Sequence, residues 1–259
     1  MGEKLSGDIG DGTLRNRHRM LENKNEPGIE GHGHQQIVVP WTVKDALLGV
    51  AVVAGATLFT VVLFSWRQGG SESPNSGALT TLALGLMSVI LIVSPWVFGI
   101  KRCRVRWRTL GFVQAKTRWC MLLPWPVLLL SLTFGGVYVA VITAAEIESL
   151  LPPDIPAGAL GEGFYRFANI FIIGIAGPLA EEVFFRGFLL AALVRPLGTF
   201  RAAAAASAIF AAQHGSLAIM MPIFVSGMLL SWLYLKTRSI WPPFTAHAAQ
   251  NLIAVSLAS

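Results

Sequence analysis

Seven times this chain enters a predominantly apolar run, six of them of roughly the length needed to cross a lipid bilayer and one shorter, and nothing else in it restricts the possible folds so strongly. The runs fall at roughly 46–66, 78–100, 119–145, 167–194, 201–214, 217–235 and 240–257. A helix rises about 1.5 Å per residue and the hydrocarbon core is about 30 Å thick, so a span takes about 20 mostly apolar residues. The hydrophobicity of these runs is continuous rather than periodic, which fits helices surrounded by an apolar medium. Of the 259 residues, 54% are hydrophobic and 13% charged, a balance outside the ordinary soluble range. The expected fold is all-α, a polytopic transmembrane helical bundle of about seven spans, with the span from Arg201 to His214 short.

Lys and Arg in the short connections set the expected orientation. The stretch Lys101-Arg102-Cys103-Arg104-Val105-Arg106-Trp107-Arg108, with Lys116 and Arg118, is the strongest inside signal. Arg195 with Arg201, and Lys236 with Arg238, mark two more inside loops. The net charge of +6 is therefore a topology signal, and no nucleic acid is expected as a partner. Residues 1–40 lack apolar periodicity and are expected to form a disordered cytoplasmic tail, with His32 and His34 an incidental feature of it. The first span is expected to act as the insertion signal. A two-span segment, 41–118, then precedes a core at 119–259, and the Pro-rich loop at 151–156 separates three front spans from four back spans. Cys103 and Cys120 are too few for a disulfide framework and are expected to be reduced.

Charged groups are costly at membrane depth and by default mark function. Those within the spans are Glu181, Glu182 and Arg186, and the histidines there are His214 and His247. Glu182 and Arg186 are four residues apart, share a helix face and can pair. Glu181 points about 100° away and has no partner in its own helix. Upstream, Gly174 and Gly177-Pro178 are expected to kink this helix and free carbonyl groups. Phe210 and His214 share a face of an Ala-rich helix, as do His247 and Asn251 on the last span. If the three helices converge, they bring together a carboxylate, two imidazoles and an amide: a base for water, a group to hold it, and donors for an oxyanion.

Glu181-Glu182-Val183-Phe184-Phe185-Arg186, Phe210-Ala211-Ala212-Gln213-His214 and His247-Ala248-Ala249-Gln250-Asn251 resemble, in order and spacing, the EExxxR, FxxxH and HxxxN motifs of the CPBP family of intramembrane proteases. That family includes type II CAAX prenyl endopeptidases and bacteriocin-processing or immunity proteins. The match covers about 160–257, and Leu110-Gly111-Phe112 is similar to the family's usual entry to its core. The resemblance implies peptide-bond hydrolysis in a water-filled cavity within the membrane. Glu181 would activate water, His214 would hold it, His247 and Asn251 would stabilise the oxyanion, and Glu182, Arg186 and Phe210 would support the site.

The favoured mechanism needs no metal. Many members are named metalloproteases, however, and Glu181, His214 and His247 make an adequate set for Zn2+, so zinc is the family-name expectation. The implied substrate is a membrane-associated protein or peptide, prenylated or not. A non-catalytic scaffold or immunity protein of the same fold is the alternative, and a proton-coupled carrier is a third class. Intact motifs favour catalysis over a scaffold, and the lack of paired broken spans related by symmetry argues against a carrier.

Overall fold

The computed structural model describes residues 38–68, 76–115, 117–152 and 160–257. His32, His34, Lys116, most of the expected tail and the centre of the Pro-rich loop lie outside these residues. The described chain is helical. Helix α1 is Val43–Gln68, α2 is Ser76–Pro95 and α3 is Pro124–Ala144. Helix α4, Gly163–Phe171, runs on through a π-helical turn at Ile172–Ala176 into α5, Gly177–Glu181. A longer π-helical stretch, Glu182–Leu190, leads into α6, Ala191–Ala212. Helices α7, Leu217–Thr237, and α8, Trp241–Leu257, close the bundle.

Among the described residues, five helical runs are long and apolar enough to cross a membrane: Val43–Leu63, Gly77–Lys101, Pro124–Ala144, Gly163–Ala212 and Leu217–Thr237. The fourth holds two of the expected spans, because Gly198 breaks α6 with φ 75° and ψ 168°. Helix α8, at 17 residues, is shorter than a full span. All seven apolar runs are therefore helical, and five helical runs are span-sized. The surface is inverted relative to a water-soluble protein: Leu58, Phe59, Leu82, Leu129 and Val137 are exposed, while Glu182, Arg186 and Asn169 are buried. Lipid-facing hydrocarbon and inward-facing charge are what the bilayer demands. The chain is an integral membrane protein.

The core gathers around the π-helical stretch, where Phe184, Phe185 and Phe188 are buried with Leu189 and Leu190. Residues ahead of α1 reach this stretch, since the Trp41 indole donates to the Phe188 carbonyl at 3.1 Å. A π turn leaves backbone groups without their usual α-helical partners, and a buried carbonyl needs a donor. On the other side the chain after the basic loop returns into the bundle. Leu110 is fully buried, Gly111 takes φ 96°, and the Gly111 carbonyl accepts from the Ile240 amide at 3.0 Å. The Ser239 hydroxyl donates to the Val113 carbonyl at 2.6 Å. The basic loop after α2 and the basic turn between α7 and α8 thus share one end of the bundle. Arg102 bridges to Asp45 at 2.8 Å, which places the start of α1 at that end too.

Gly187 permits a close approach of backbone: a Cβ there would lie 2.5 Å from the Leu110 carbonyl oxygen, which cannot swing aside as a side chain could. Gly187→Ala is expected to destabilise the protein by about 1–3 kcal/mol through overpacking. Gly135→Ala, which meets nothing within 4 Å, should not lower stability, and thermal unfolding of both variants in detergent checks the contrast.

Candidate active site

The fourth helical run carries the carboxylates. The predicted loosening near Gly174 and Gly177-Pro178 takes the form of the π turn at Ile172–Ala176, and the freed Ile173 carbonyl accepts from the Asn251 side chain at 2.9 Å. Helix α8 is thereby fastened to the backbone two turns before Glu181. Glu182 and Arg186 pair as their spacing predicts, with Arg186 Nη1 donating to Glu182 Oε1 at 2.8 Å and both side chains almost wholly buried. Arg186 Nη2 also donates to the Gly227 carbonyl at 3.3 Å, and the guanidinium lies 4.6 Å from the centre of the Phe210 ring.

His247 joins the two glutamates. Its Nδ1 lies 2.8 Å from Glu182 Oε1, the oxygen that also takes the Arg186 bond, and its Nε2 lies 3.4 Å from Glu181 Oε2. Glu182 and Glu181 do point in different directions, but the two nitrogens of one imidazole reach both. Because the Glu182 carboxylate accepts, Nδ1 carries a proton. Nε2 and the Glu181 oxygen then face each other favourably only with a further proton between them. The four groups Glu181, Glu182, Arg186 and His247 sum to zero charge when that proton sits on the imidazole.

His214 stands on the other side of Phe210, whose ring centre is 4.9 Å from His214 and 5.7 Å from His247, both edge to face. Its Nδ1 is 2.9 Å from the Phe210 carbonyl oxygen. A carbonyl only accepts, so Nδ1 carries a proton, and in the neutral ring Nε2 then presents a lone pair. Glu181 and His214 both line a cavity of about 150 Å³. Phe185 and Gln213 contribute to its wall, and Val53 and Thr57 of α1 with Met87 and Leu91 of α2 form the rest. At about 1.5 Å per residue, Val53 and Thr57 lie about 15 and 21 Å along α1 from Val43, near the middle of a bilayer core about 30 Å thick. The structure thus brings together Glu181, Glu182, Arg186, Phe210, His214 and His247, with Asn251 fixed at the edge.

Sequence reasoning missed the front wall and the residue that secures it. The Gln213 amide donates to the Thr57 hydroxyl at 2.7 Å, and that hydroxyl donates to the Val53 carbonyl at 3.0 Å. Thr57 and Gln213 were polar residues in apolar runs, but nothing in the sequence pairs them, and Thr60 of the same run bonds to the Ala56 carbonyl of its own helix instead.

The residues do not form a ready zinc site. Among the described residues no three or more His, Cys, Asp or Glu side chains are grouped to hold a metal ion, and both ring nitrogens of His247 are turned toward carboxylates.

A carboxylate and an imidazole line one cavity inside a membrane-spanning helical bundle, next to a buried ion pair. Comparison with known proteins bears on this site. Residues 163–253 match the Rce1-like family model, described as type II CAAX prenyl endopeptidase Rce1-like, and the resemblance of the three motifs to the CPBP proteases holds over that stretch. The Bacillus subtilis (strain 168) protein named "Putative membrane peptidase YdiL" is 33% identical over 86 residues, covering 33% of this chain and 35% of the relative. The aligned stretch therefore spans about a third of that relative's length. No solved structure matches.

Removing one partner of the buried cluster strands the others. Glu182→Ala and Arg186→Ala are each expected to destabilise the fold by about 3–5 kcal/mol, seen as reduced yield and earlier thermal unfolding in detergent. Glu181→Gln, at a side chain 24% exposed and bonded less tightly, should leave both nearly unchanged.

Proposed function

We propose that the protein is an intramembrane endopeptidase that hydrolyses a peptide bond of a membrane-associated protein or peptide with a water activated by Glu181. The observation that carries this reading is the shared cavity of Glu181 and His214, with His247 held against Glu181 from behind. The family match over 163–253 and the name of the Bacillus relative support it.

In this mechanism the cavity water donates one hydrogen to the Glu181 carboxylate and is oriented by the lone pair on His214 Nε2. Glu181 takes the proton as the water oxygen bonds to the substrate carbonyl carbon, and the carbonyl π electrons move onto oxygen. The His247 imidazolium, released from Glu181 as that carboxylate is neutralised, donates from Nε2 to the oxyanion. Glu182 stabilises the imidazolium and, held in place by Arg186, fixes its ring. Collapse of the tetrahedral intermediate breaks the C–N bond, and Glu181 returns its proton to the departing amine. Asn251 keeps one amide hydrogen beyond its bond to Ile173 and supplies a second oxyanion donor. The same mechanism works on prenylated and unprenylated substrates, because no step touches an isoprenoid.

The same reading orients the N-terminal side of α1 toward the cytoplasm, supported by the positive-inside rule for the basic loops and by the Arg102–Asp45 bridge that joins the start of α1 to one of them.

Hydrolysis of a mixed peptide library by the purified, detergent-solubilised protein tests this reading. Glu181→Gln and His214→Ala should each lower cleavage by about 10²–10⁴-fold, the usual contribution of a general base, while the protein stays folded. Full activity in either variant would remove the assignment. A chelator is expected to leave the wild-type rate unchanged, and a rate that falls with the chelator and returns with zinc would replace the metal-free mechanism.

A further inference from the structure

His214 stands two residues past Ala212, the end of α6, and its bonds stay within that helix. Its Nδ1 meets the Phe210 carbonyl, its ring lies against the Phe210 ring, and its amide donates to the Ala211 carbonyl at 3.1 Å. Gly215, at φ 68°, then turns the chain away. A helix end tied only to its own last turn opens at low cost. One residue earlier the helix end is fastened from outside. The Gln213 amide donates to the Thr57 hydroxyl of α1 at 2.7 Å, and among residues 213–216 this is the one side-chain bond to another element. Thr57 is itself well fixed. Its hydroxyl donates to the Val53 carbonyl at 3.0 Å and lies 4.0 Å from the Met87 sulfur of α2, and Val53 is 1% exposed. A hydroxyl has one proton, so with that proton on the Val53 carbonyl it accepts from Gln213, and the direction of the bond is set.

From this geometry we infer that Gln213 and Thr57 are positioning residues: their bond fixes the last turn of α6 against α1 and so holds His214 at the cavity it shares with Glu181. The inference rests on the protease reading above. Thr57 lies outside the stretch matched to the family, and Gln213 fills one of the unspecified places between Phe210 and His214. Adjacent residues of a helix point about 100° apart, so a twist of the last turn that breaks the Gln213 bond carries the His214 ring with it. A displacement of about 1 Å at a reacting group costs about 10²-fold in rate. The front two spans thereby act on the reaction through the angle at which His214 meets the water.

Thr57→Val removes the acceptor and nearly keeps the shape of the side chain, whereas Thr57→Ser keeps the acceptor. In library cleavage by the full chain in detergent, Thr57→Val is expected to lower kcat by about 10–10²-fold with KM within about twofold, and Thr57→Ser to restore most of the rate. Added to His214→Ala, Thr57→Val should cost nothing further, because a residue acting through His214 has nothing left to position. A contact made directly with the substrate would multiply its loss onto that of His214→Ala. That result, or full activity in folded Thr57→Val, would overturn the inference. Gln213→Met removes the donor at similar length and keeps the test usable if Thr57→Val folds poorly. Hydrogen exchange at the amides of 213–216 needs no substrate: Thr57→Val should speed it about fivefold, the usual worth of one hydrogen bond, and leave the middle of α7 unchanged. Unchanged exchange at 213–216 would overturn the inference whatever the cleavage result. A wild type that cuts no peptide in the library, with or without zinc, would overturn the protease reading, and faster exchange would then make the bond a structural tie and nothing more.

Discussion

One oxygen atom organises this structure. Glu182 Oε1, buried in the bundle, accepts from Arg186 and from His247, each at 2.8 Å. A carboxylate at apolar depth is tolerated only when it is paired and bonded, and each partner is in turn held by another element. Arg186 is tied to the Gly227 carbonyl of α7 and lies against Phe210 of α6, while His247 belongs to α8. The fourth helical run, α6, α7 and α8 must therefore meet at one point for the charge to be accommodated. Their meeting also holds Glu181 and His214 at a common cavity, so the electrostatic requirement of folding and the geometry of the site are the same requirement.

The sequence made much of this legible, and the limits are physical. The pairing of Glu182 with Arg186 and the shared face of Phe210 and His214 depend on helical periodicity, which is local, and both follow from spacing. The weak point at Gly174 and Gly177 was legible too, although its form as a π turn closed by Asn251 was not. The separation of Glu181 from Glu182 around the helix was read correctly in angle but not in consequence, because an imidazole from a distant helix spans that angle with its two nitrogens. Phe210 reads as a motif residue, yet its contacts with Arg186 and His247 come from other helices and leave no local mark. The cavity wall from Val53, Thr57, Met87 and Leu91 is harder still, since an apolar side chain facing a cavity looks in sequence like one facing lipid.

Backbone irregularity and side-chain chemistry are coupled here. The π-helical stretch Glu182–Leu190 begins at the carboxylate, and the π turn at Ile172–Ala176 lies just ahead of Pro178. Each has a carbonyl satisfied by a side chain from far away in sequence, Trp41 for Phe188 and Asn251 for Ile173. Such turns are uncommon and concentrate at functional positions, where an α-helix would aim the side chains differently.

The bond from Trp41 to Phe188 also imposes a timetable. Its two ends are separated by 147 residues. At a synthesis rate of about 5–20 residues per second, Trp41 is incorporated about 7–30 s before its acceptor. Until Phe188 is made, the indole lacks this acceptor and the faces of α1 and α2 that pack on the π-helical stretch lack their partner. The first two helices are until then a provisional structure, open to a chaperone or to another chain, and the arrival of the π-helical stretch ends that state.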